Sequence, residues 1–144
     1  MSSNLKEVYQ QALTYLARRE HAQAELQQKL AQKGGSESDI NAVLARLIEQ
    51  KLQSDARFAE MYTRARSQRG HGPIKIRYEL RQRGVAPDLI QAAMDEIDWP
   101  EIMKQVRIKK FGHLDPSDWT ERQRQQRFLE QRGFSHEMIQ WAGG

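Results

Sequence analysis

The sequence of 144 residues contains no cysteine and no long apolar run. The absence of cysteine excludes a disulfide framework and any thiolate nucleophile or metal ligand. A membrane-spanning helix needs roughly 20 consecutive apolar residues, and no stretch approaches that length. The N-terminal segment also lacks the apolar core of a secretory signal. We therefore expect a cytoplasmic protein that makes no contact with a membrane.

Catalytic and metal-binding motifs are also missing. The glycines Gly70 and Gly72 are followed by Pro73, which fits neither a Walker A loop nor a dinucleotide fingerprint. His21 and Glu25 lie four residues apart, a spacing that can bind a metal, but without further nearby ligands we expect an ordinary surface pair. There is no nucleophile elbow and no close carboxylate pair. We expect a protein that is not an enzyme and uses no cofactor or metal. The histidines are dispersed, at His21, His71, His113 and His136.

What the chain does have is a very polar composition. Hydrophobic residues make up 38% of it, charged residues 29%, and the mean hydropathy is −0.85. A folded chain of this polarity has much surface and little core. This favours an elongated helical array over a sphere.

A short pattern of leucine, a basic residue and glycine recurs three times, about 50 residues apart. The leucine suits the buried face of a last helical turn, the cation suits the negative end of the helix dipole, and glycine closes the helix in a left-handed conformation. Coincidence is the alternative, because many helix pairs share a glycine stop. The isoleucine six positions past each glycine favours true repetition. The copies are Leu30-Lys33-Gly34-Ile40, Leu80-Arg83-Gly84-Ile90 and Leu129-Arg132-Gly133-Ile139.

Each copy has room for one more helix in front of this pair, so we predict an all-α fold of three tandem three-helix units. The units are predicted at residues 1–52, 53–98 and 99–144. Apolar residues recur at helical spacing, and proline or a capping residue precedes most helices. Asp115 and Pro116, for example, are expected to open the eighth helix. The predicted helices are 4–18, 21–33, 36–51, 55–68, 73–83, 87–97, 99–111, 116–132 and 136–142.

Charge is segregated along the chain, which has a net charge of +4. Residues 57–83 hold eight cations and two carboxylates, whereas residues 84–101 hold five carboxylates and no cation. A solvated helix face is the simple alternative, but this clustering favours a binding surface for an anionic partner. That partner is either a nucleic-acid backbone or an acidic protein patch. The eight cations, which we call the basic middle segment, are Arg57, Arg64, Arg66, Arg69, Lys75, Arg77, Arg81 and Arg83.

Two details qualify this surface. Phe58 and Tyr62 fit the core, so base stacking is not expected. The polar connection from Ser67 to Gly72 is either a flexible turn or a loop that bends around phosphate or another backbone. Two smaller basic clusters follow in the sequence, Lys104, Arg107, Lys109 and Lys110, and then Arg122, Arg124, Arg127 and Arg132.

Four segments resemble, in order, the motifs of the RecX family, the regulators of the RecA recombinase. Together they span nearly the whole chain. One departure is Ala22, where the family pattern has serine, and this weakens a helix cap. The segments run from Tyr15 to Leu26, from Leu52 to Ala59, from Gly72 to Leu80 with Gly84 after it, and from Arg127 to Phe134.

The resemblance implies a curved, elongated monomer that binds in the groove of the RecA–DNA filament and limits its recombinase and ATPase activities. Its partners would then be the RecA filament and the backbone of single- and double-stranded DNA, without sequence preference, and the basic middle segment would make the contacts. Two alternatives stay open. One is a stand-alone DNA-binding protein of helix-turn-helix type, and the other is a helical scaffold whose charge is incidental.

Overall fold

The computed structural model describes residues 3–112 and 118–143, and within them the side chains of residues 4–112 and 118–140. Nine α-helices and no strand occur in these ranges. None of these helices is long and apolar enough to cross a membrane. The helices are α1 Ser3–Arg18, α2 Gln23–Gln32, α3 Glu37–Glu49, α4 Asp55–Gln68, α5 Pro73–Gln82, α6 Pro87–Asp95, α7 Trp99–Phe111, α8 Trp119–Gln131 and α9 His136–Gly143.

The helices pack in three consecutive groups, α1–α3, α4–α6 and α7–α9, each around its own core. The predicted all-α fold of three tandem three-helix units is confirmed. The chain exposes 9198 Å², whereas a compact monomer of this mass exposes about 7700 Å². The excess fits an elongated array. The largest core residues are Leu26, Leu30 and Leu47 in the first unit, Phe58, Ile76, Leu80 and Ile90 in the second, and Met103, Leu129 and Phe134 in the third.

The repeated pattern closes one helix in the same way in every unit. Each repeated leucine is buried, and its carbonyl accepts a hydrogen bond from the backbone N–H five residues later, at 3.1–3.2 Å. This is the hydrogen bond of a Schellman motif, and it requires a left-handed residue between the two groups. Glycine supplies that residue, with φ of +93° at Gly34, +77° at Gly84 and +101° at Gly133. The isoleucines at 40, 90 and 139 are buried in the same three cores, as the repeat requires.

Several predicted helix ends differ from the structure. The second helix begins at Gln23 rather than at 21, because His21 and Ala22 are extended or irregular and face inward. The third helix ends at Glu49, and Lys51 then takes a positive φ of 61°. The sixth ends at Asp95 rather than at 97. The predicted start of the eighth helix at Asp115 and Pro116 lies outside the described residues.

Candidate binding surface

Two arginines of the basic middle segment are placed by a buried tyrosine. The guanidinium of Arg66 lies 5.1 Å from the ring centre of Tyr62, and that of Arg83 lies 4.8 Å from it. The Tyr62 hydroxyl donates to Glu79 Oε2 at 3.0 Å, and Arg83 Nη1 donates to the Glu79 carbonyl at 3.1 Å. Cation–π contacts of this kind stabilise the fold and hold the guanidinium groups in place. Arg66 and Arg83 are therefore half-buried parts of the middle unit.

Two further arginines have polar partners within the chain. Arg57 Nε pairs with Glu20 Oε1 at 3.1 Å, which joins the second unit to the segment before α2. Arg77 Nη1 donates to Gln91 Oε1 at 3.1 Å, which joins α5 to α6. Arg57 and Arg64 lie on the same helix but differ in environment, since only Arg57 is paired between units.

Three arginines of the segment are exposed and have no ion pair within the described ranges: Arg64, Arg69 and Arg81. Arg64 lies on α4, Arg69 follows directly after the last residue of α4, and Arg81 lies in the last turn of α5. Their charges face solvent, and an anionic partner can reach them without breaking an internal contact. They are the members best suited to intermolecular contact.

The polar connection between α4 and α5 bends around another backbone, which is one of the two interpretations left open by the sequence. The N–H of Gly72 donates to the Arg132 carbonyl at 2.6 Å, and the N–H of Ile74 donates to the Gly133 carbonyl at 3.0 Å. No side chain caps α5. The turn between α8 and α9 therefore satisfies the free N–H groups at the start of α5. Lys75 also belongs to this seam, because a Cβ on Gly133 would lie 2.6 Å from Lys75 Cβ.

The same seam creates a basic cleft between the second and third units. It has a volume of about 350 Å³ and brings together cations from three separate parts of the sequence. Sequence reasoning assigned these cations to different clusters, because the close approach of Gly72 to Gly133 is invisible in a local pattern. We call this space the inter-unit cleft. Its basic residues are Arg69, Lys109, Lys110 and Arg132.

At the other seam, His21 is buried, so the expectation of an ordinary surface pair with Glu25 is wrong. The ammonium of Lys29 lies 2.9 Å from His21 Nε2, and since it can only donate, Nε2 accepts. His21 Nδ1 then donates to the Arg19 carbonyl at 3.1 Å. Glu25 instead forms a bidentate ion pair with Arg19, at 2.8 and 3.0 Å. This histidine is a neutral structural residue. Within the described ranges, no group of three or more His, Cys, Asp or Glu side chains is placed to hold a metal.

The seam beside His21 also explains how α2 begins without a serine. Ala22 offers no acceptor, and the N–H of Gln23 donates instead to Asp55 Oδ1 at 2.8 Å, in the next unit. Gln53 Nε2 donates to the same carboxylate at 2.9 Å and to the His21 carbonyl at 3.1 Å. The second helix of the first unit is therefore capped by the unit that follows it, as α5 is.

We predict that the melting temperature falls as the pH drops from 6.5 toward 5. Burial, with the nearby Arg19 and Lys29 charges, lowers the pKa of His21, and burial with the Lys75 charge lowers the pKa of His71. Below the ordinary histidine pKa of about 6.5, these two histidines bind protons in the unfolded chain but stay neutral in the folded chain. Stability is therefore full above pH 6.5 and declines below it.

Circular dichroism melts between pH 8 and pH 5 measure this dependence. His21→Gln keeps an acceptor for Lys29 but cannot titrate, so its decline should be shallower than that of the wild type. Above about pH 7.5 the histidines are neutral. The difference in melting temperature between the variant and the wild type should therefore not depend on pH in that range. An identical slope in the variant would contradict the placement of His21.

These features define the chain as a tandem array of three-helix units with an exposed basic surface. Three RecX family models match it in order, over residues 9–47 for the first three-helix domain, 54–94 for the second and 96–142 for the third. Together they cover most of the chain, which therefore belongs to the RecX family.

Relatives and solved structures agree. The chain is 44% identical over 133 residues to the regulatory protein RecX of Halorhodospira halophila, covering 91% of this chain and 83% of that one. It is 46% identical over 130 residues to the regulatory protein RecX of Pseudomonas putida, covering 89% and 83%. The crystal structure of RecX from Lactobacillus salivarius matches with a TM-score of 0.85 at 21% identity, covering 99% of this chain and 96% of that one. The resemblance to regulatory RecX proteins is confirmed.

Proposed function

We propose that this chain is a non-catalytic regulator of homologous recombination and DNA repair that binds the RecA–DNA filament and limits its ATPase and recombinase activities. The observation that carries the proposal is membership of a family whose relatives are named regulatory proteins. We also propose that the protein works in the cytoplasm, where chromosomal DNA lies, and that it works as a monomer. Neither a cofactor nor a metal is part of the proposal.

The basic middle segment is the proposed contact surface. Arg64, Arg69 and Arg81 meet the filament directly, because their charges are exposed and have no internal ion pair in the described structure. The other five members support them. Arg57 and Arg77 are held by Glu20 and Gln91, while Arg66, Lys75 and Arg83 lie half-buried beside the Tyr62 ring or the seam and add to the local potential.

DNA contributes to this binding through its backbone. Exposed guanidinium groups pair with phosphate oxygens in a bidentate manner and do not distinguish bases when they contact only the backbone. Phe58 and Tyr62 are buried in the middle core, so they are not available to stack on bases. We therefore expect sequence-nonspecific contact with single- and double-stranded DNA, weakened steeply by salt.

Titration of the protein into a RecA ATPase reaction with single-stranded DNA tests the proposal. The wild type should lower the rate in proportion to filament occupancy. Arg64→Glu with Arg81→Glu should weaken binding about tenfold or more, because each reversal removes an attraction and adds a repulsion. Helicity should be unchanged, since both side chains are exposed.

The matched control is Lys6→Glu with Arg18→Glu. It makes the same change in net charge on exposed positions of α1, in the first unit. This control should inhibit like the wild type. An unchanged ATPase rate at saturating wild-type protein would contradict the proposed function. An equal loss of inhibition in both double variants would show that the basic middle segment is not the contact surface.

The alternative of a stand-alone helix-turn-helix protein makes a different prediction. It requires sequence-selective binding to duplex DNA and no effect on the RecA ATPase. Competition with unrelated duplex separates the two functions, because a filament regulator is displaced equally by any sequence.

A further inference from the structure

The inter-unit cleft lies where the end of α4 meets α7 and α8. Residues 67–70 form one wall, and residues of α7 and α8 form the others. The cleft is open to solvent, and its volume of about 350 Å³ accommodates one or two side chains of a bound segment. Its position is fixed by the backbone hydrogen bonds from Gly72 and Ile74 to the α8–α9 turn.

The charge around the cleft has one sign. Arg69, Lys109, Lys110 and Arg132 line it, and no Asp or Glu is among its lining residues. Two of these cations are ordered in advance, because Arg132 lies 5.2 Å and Lys110 lies 5.4 Å from the centre of the Phe128 ring. Cations that are already fixed lose little entropy when they pair with an anion. The cleft is therefore complementary to carboxylates or phosphates.

Part of the remaining lining is apolar. Ile102, Val106 and Phe128 are half-buried, and they pack against the core of the third unit while also facing the cleft. A ligand that carries only charge would leave this surface in contact with water. Burying an aliphatic side chain against it adds hydrophobic stabilisation. The cleft thus suits a ligand with acidic groups around an apolar anchor.

The aromatic ring argues against a nucleobase as that anchor. Phe128 already has Lys110 and Arg132 near its ring, and it makes an edge contact with Phe111 at 5.4 Å and 86°. A base needs a free aromatic face to stack, and two cations already lie against this ring. An aliphatic side chain needs only apolar atoms, which Ile102 and Val106 offer.

We propose that the inter-unit cleft binds an acidic segment of a partner protein, with one or two aliphatic side chains seated on Ile102 and Val106. The segment's carboxylates pair with the four surrounding cations. Only the identity of the partner rests on the proposed function, since it would be the protein component of the filament. The exposed Arg64 and Arg81 lie outside this site and remain available to bind nucleic acid.

Fluorescence anisotropy with the full chain tests this. The probe is a short fluorescein-labelled peptide of aspartates and glutamates with a central pair of leucines. Arg69→Gln with Lys109→Gln should weaken its binding about tenfold or more, because charge-assisted hydrogen bonds are lost. Both side chains are exposed, so the variant should fold. The matched control Arg64→Gln with Arg81→Gln removes the same charge elsewhere and should change binding less than about twofold.

Two comparison ligands sharpen the test. A peptide with serines in place of the leucines should bind about tenfold more weakly, since it has no apolar anchor. A thymidine oligonucleotide should lose less affinity for the cleft variant than the leucine peptide does, because Arg64 and Arg81 still contact its phosphates. The proposal is overturned if the leucine peptide does not bind or if the serine peptide binds equally well. It is also overturned if both double variants weaken the peptide equally, or if the cleft variant loses the oligonucleotide as strongly as it loses the leucine peptide.

The peptide assay contains no recombinase. It can therefore fail while inhibition of the RecA ATPase persists, and the ATPase can be unaffected while the peptide binds. The first result rejects the site alone, and the second rejects the proposed function alone.

Discussion

Replacing Leu80 by alanine should lower the free energy of unfolding by about 2–5 kcal/mol. Leu80 is fully buried, and it packs in the middle core with Phe58, Ile76 and Ile90. Truncation removes its apolar contacts and leaves a cavity that the short helices around it cannot fill completely. Because each unit has a core of its own, the loss should fall mainly on the second unit.

Urea denaturation followed by circular dichroism measures the effect. Ile74→Ala is the matched control, since Ile74 lies on the same helix and is 55% exposed. The control should stay within about 0.5 kcal/mol of the wild type. Equal stability of Leu80→Ala and the wild type would contradict the repeat, because the repeat assigns this leucine to the core of its unit.

The helices and their repetition could be predicted because their signals are local. A leucine, a cation and a glycine within five residues specify a helix end through the dipole and the left-handed turn. Gly34, Gly84 and Gly133 indeed have positive φ. Most predicted helix ends fall within two residues of the observed ones for the same reason. The start of α2 shifted because it depends on a group outside the local window, since Ala22 offers no cap and Asp55 replaces it.

The contacts between units could not be predicted from the sequence. Gln23 and Asp55 are 32 residues apart, and Gly72 reaches a turn about 60 residues further along the chain. No periodicity encodes such pairs. At the same seams, residues near the predicted unit boundaries pack against a neighbouring unit. Ala22 is buried in the core of the second unit, and Trp99 packs against the cores of both the second and the third. The boundaries after residues 52 and 98 stay a prediction.

For the basic middle segment, the sequence predicted where the cations cluster but not the environment of each one. Charge counting found the region, because net charge depends on the sequence alone. It could not separate Arg57, which pairs with Glu20, from Arg64, which is exposed. Nor could it join Arg69 to Arg132, which lie in different sequence clusters and meet only across the Gly72 seam. The binding role of all eight cations stays a prediction, and the inter-unit cleft could be found only from the structure.

Replacing the glycine that closes the repeated helix by alanine should destabilise the fold more in each successive unit. Gly34, Gly84 and Gly133 share a positive φ, so alanine costs each about 1–2 kcal/mol of backbone strain. They differ in space. A Cβ on Gly34 meets nothing within 4 Å, one on Gly84 lies 3.0 Å from Ala24 Cβ, and one on Gly133 lies 2.6 Å from Lys75 Cβ and 2.9 Å from Lys75 N.

Gly133→Ala should therefore cost about 2–3 kcal/mol more than Gly34→Ala, through overpacking and the loss of the seam's hydrogen bonds. The Lys75 backbone can retreat only if the bonds from Gly72 and Ile74 to the α8–α9 turn open. Urea denaturation of the three alanine variants measures the series, with Gly34→Ala as the control for strain alone. A Gly84→Ala cost between the other two would show that the seam between the first and second units, where Ala24 faces Gly84, also depends on a close approach. An equal loss of unfolding free energy at all three positions would mean that only the left-handed conformation matters. The close contact at Gly133 would then not be what holds the third unit against the second.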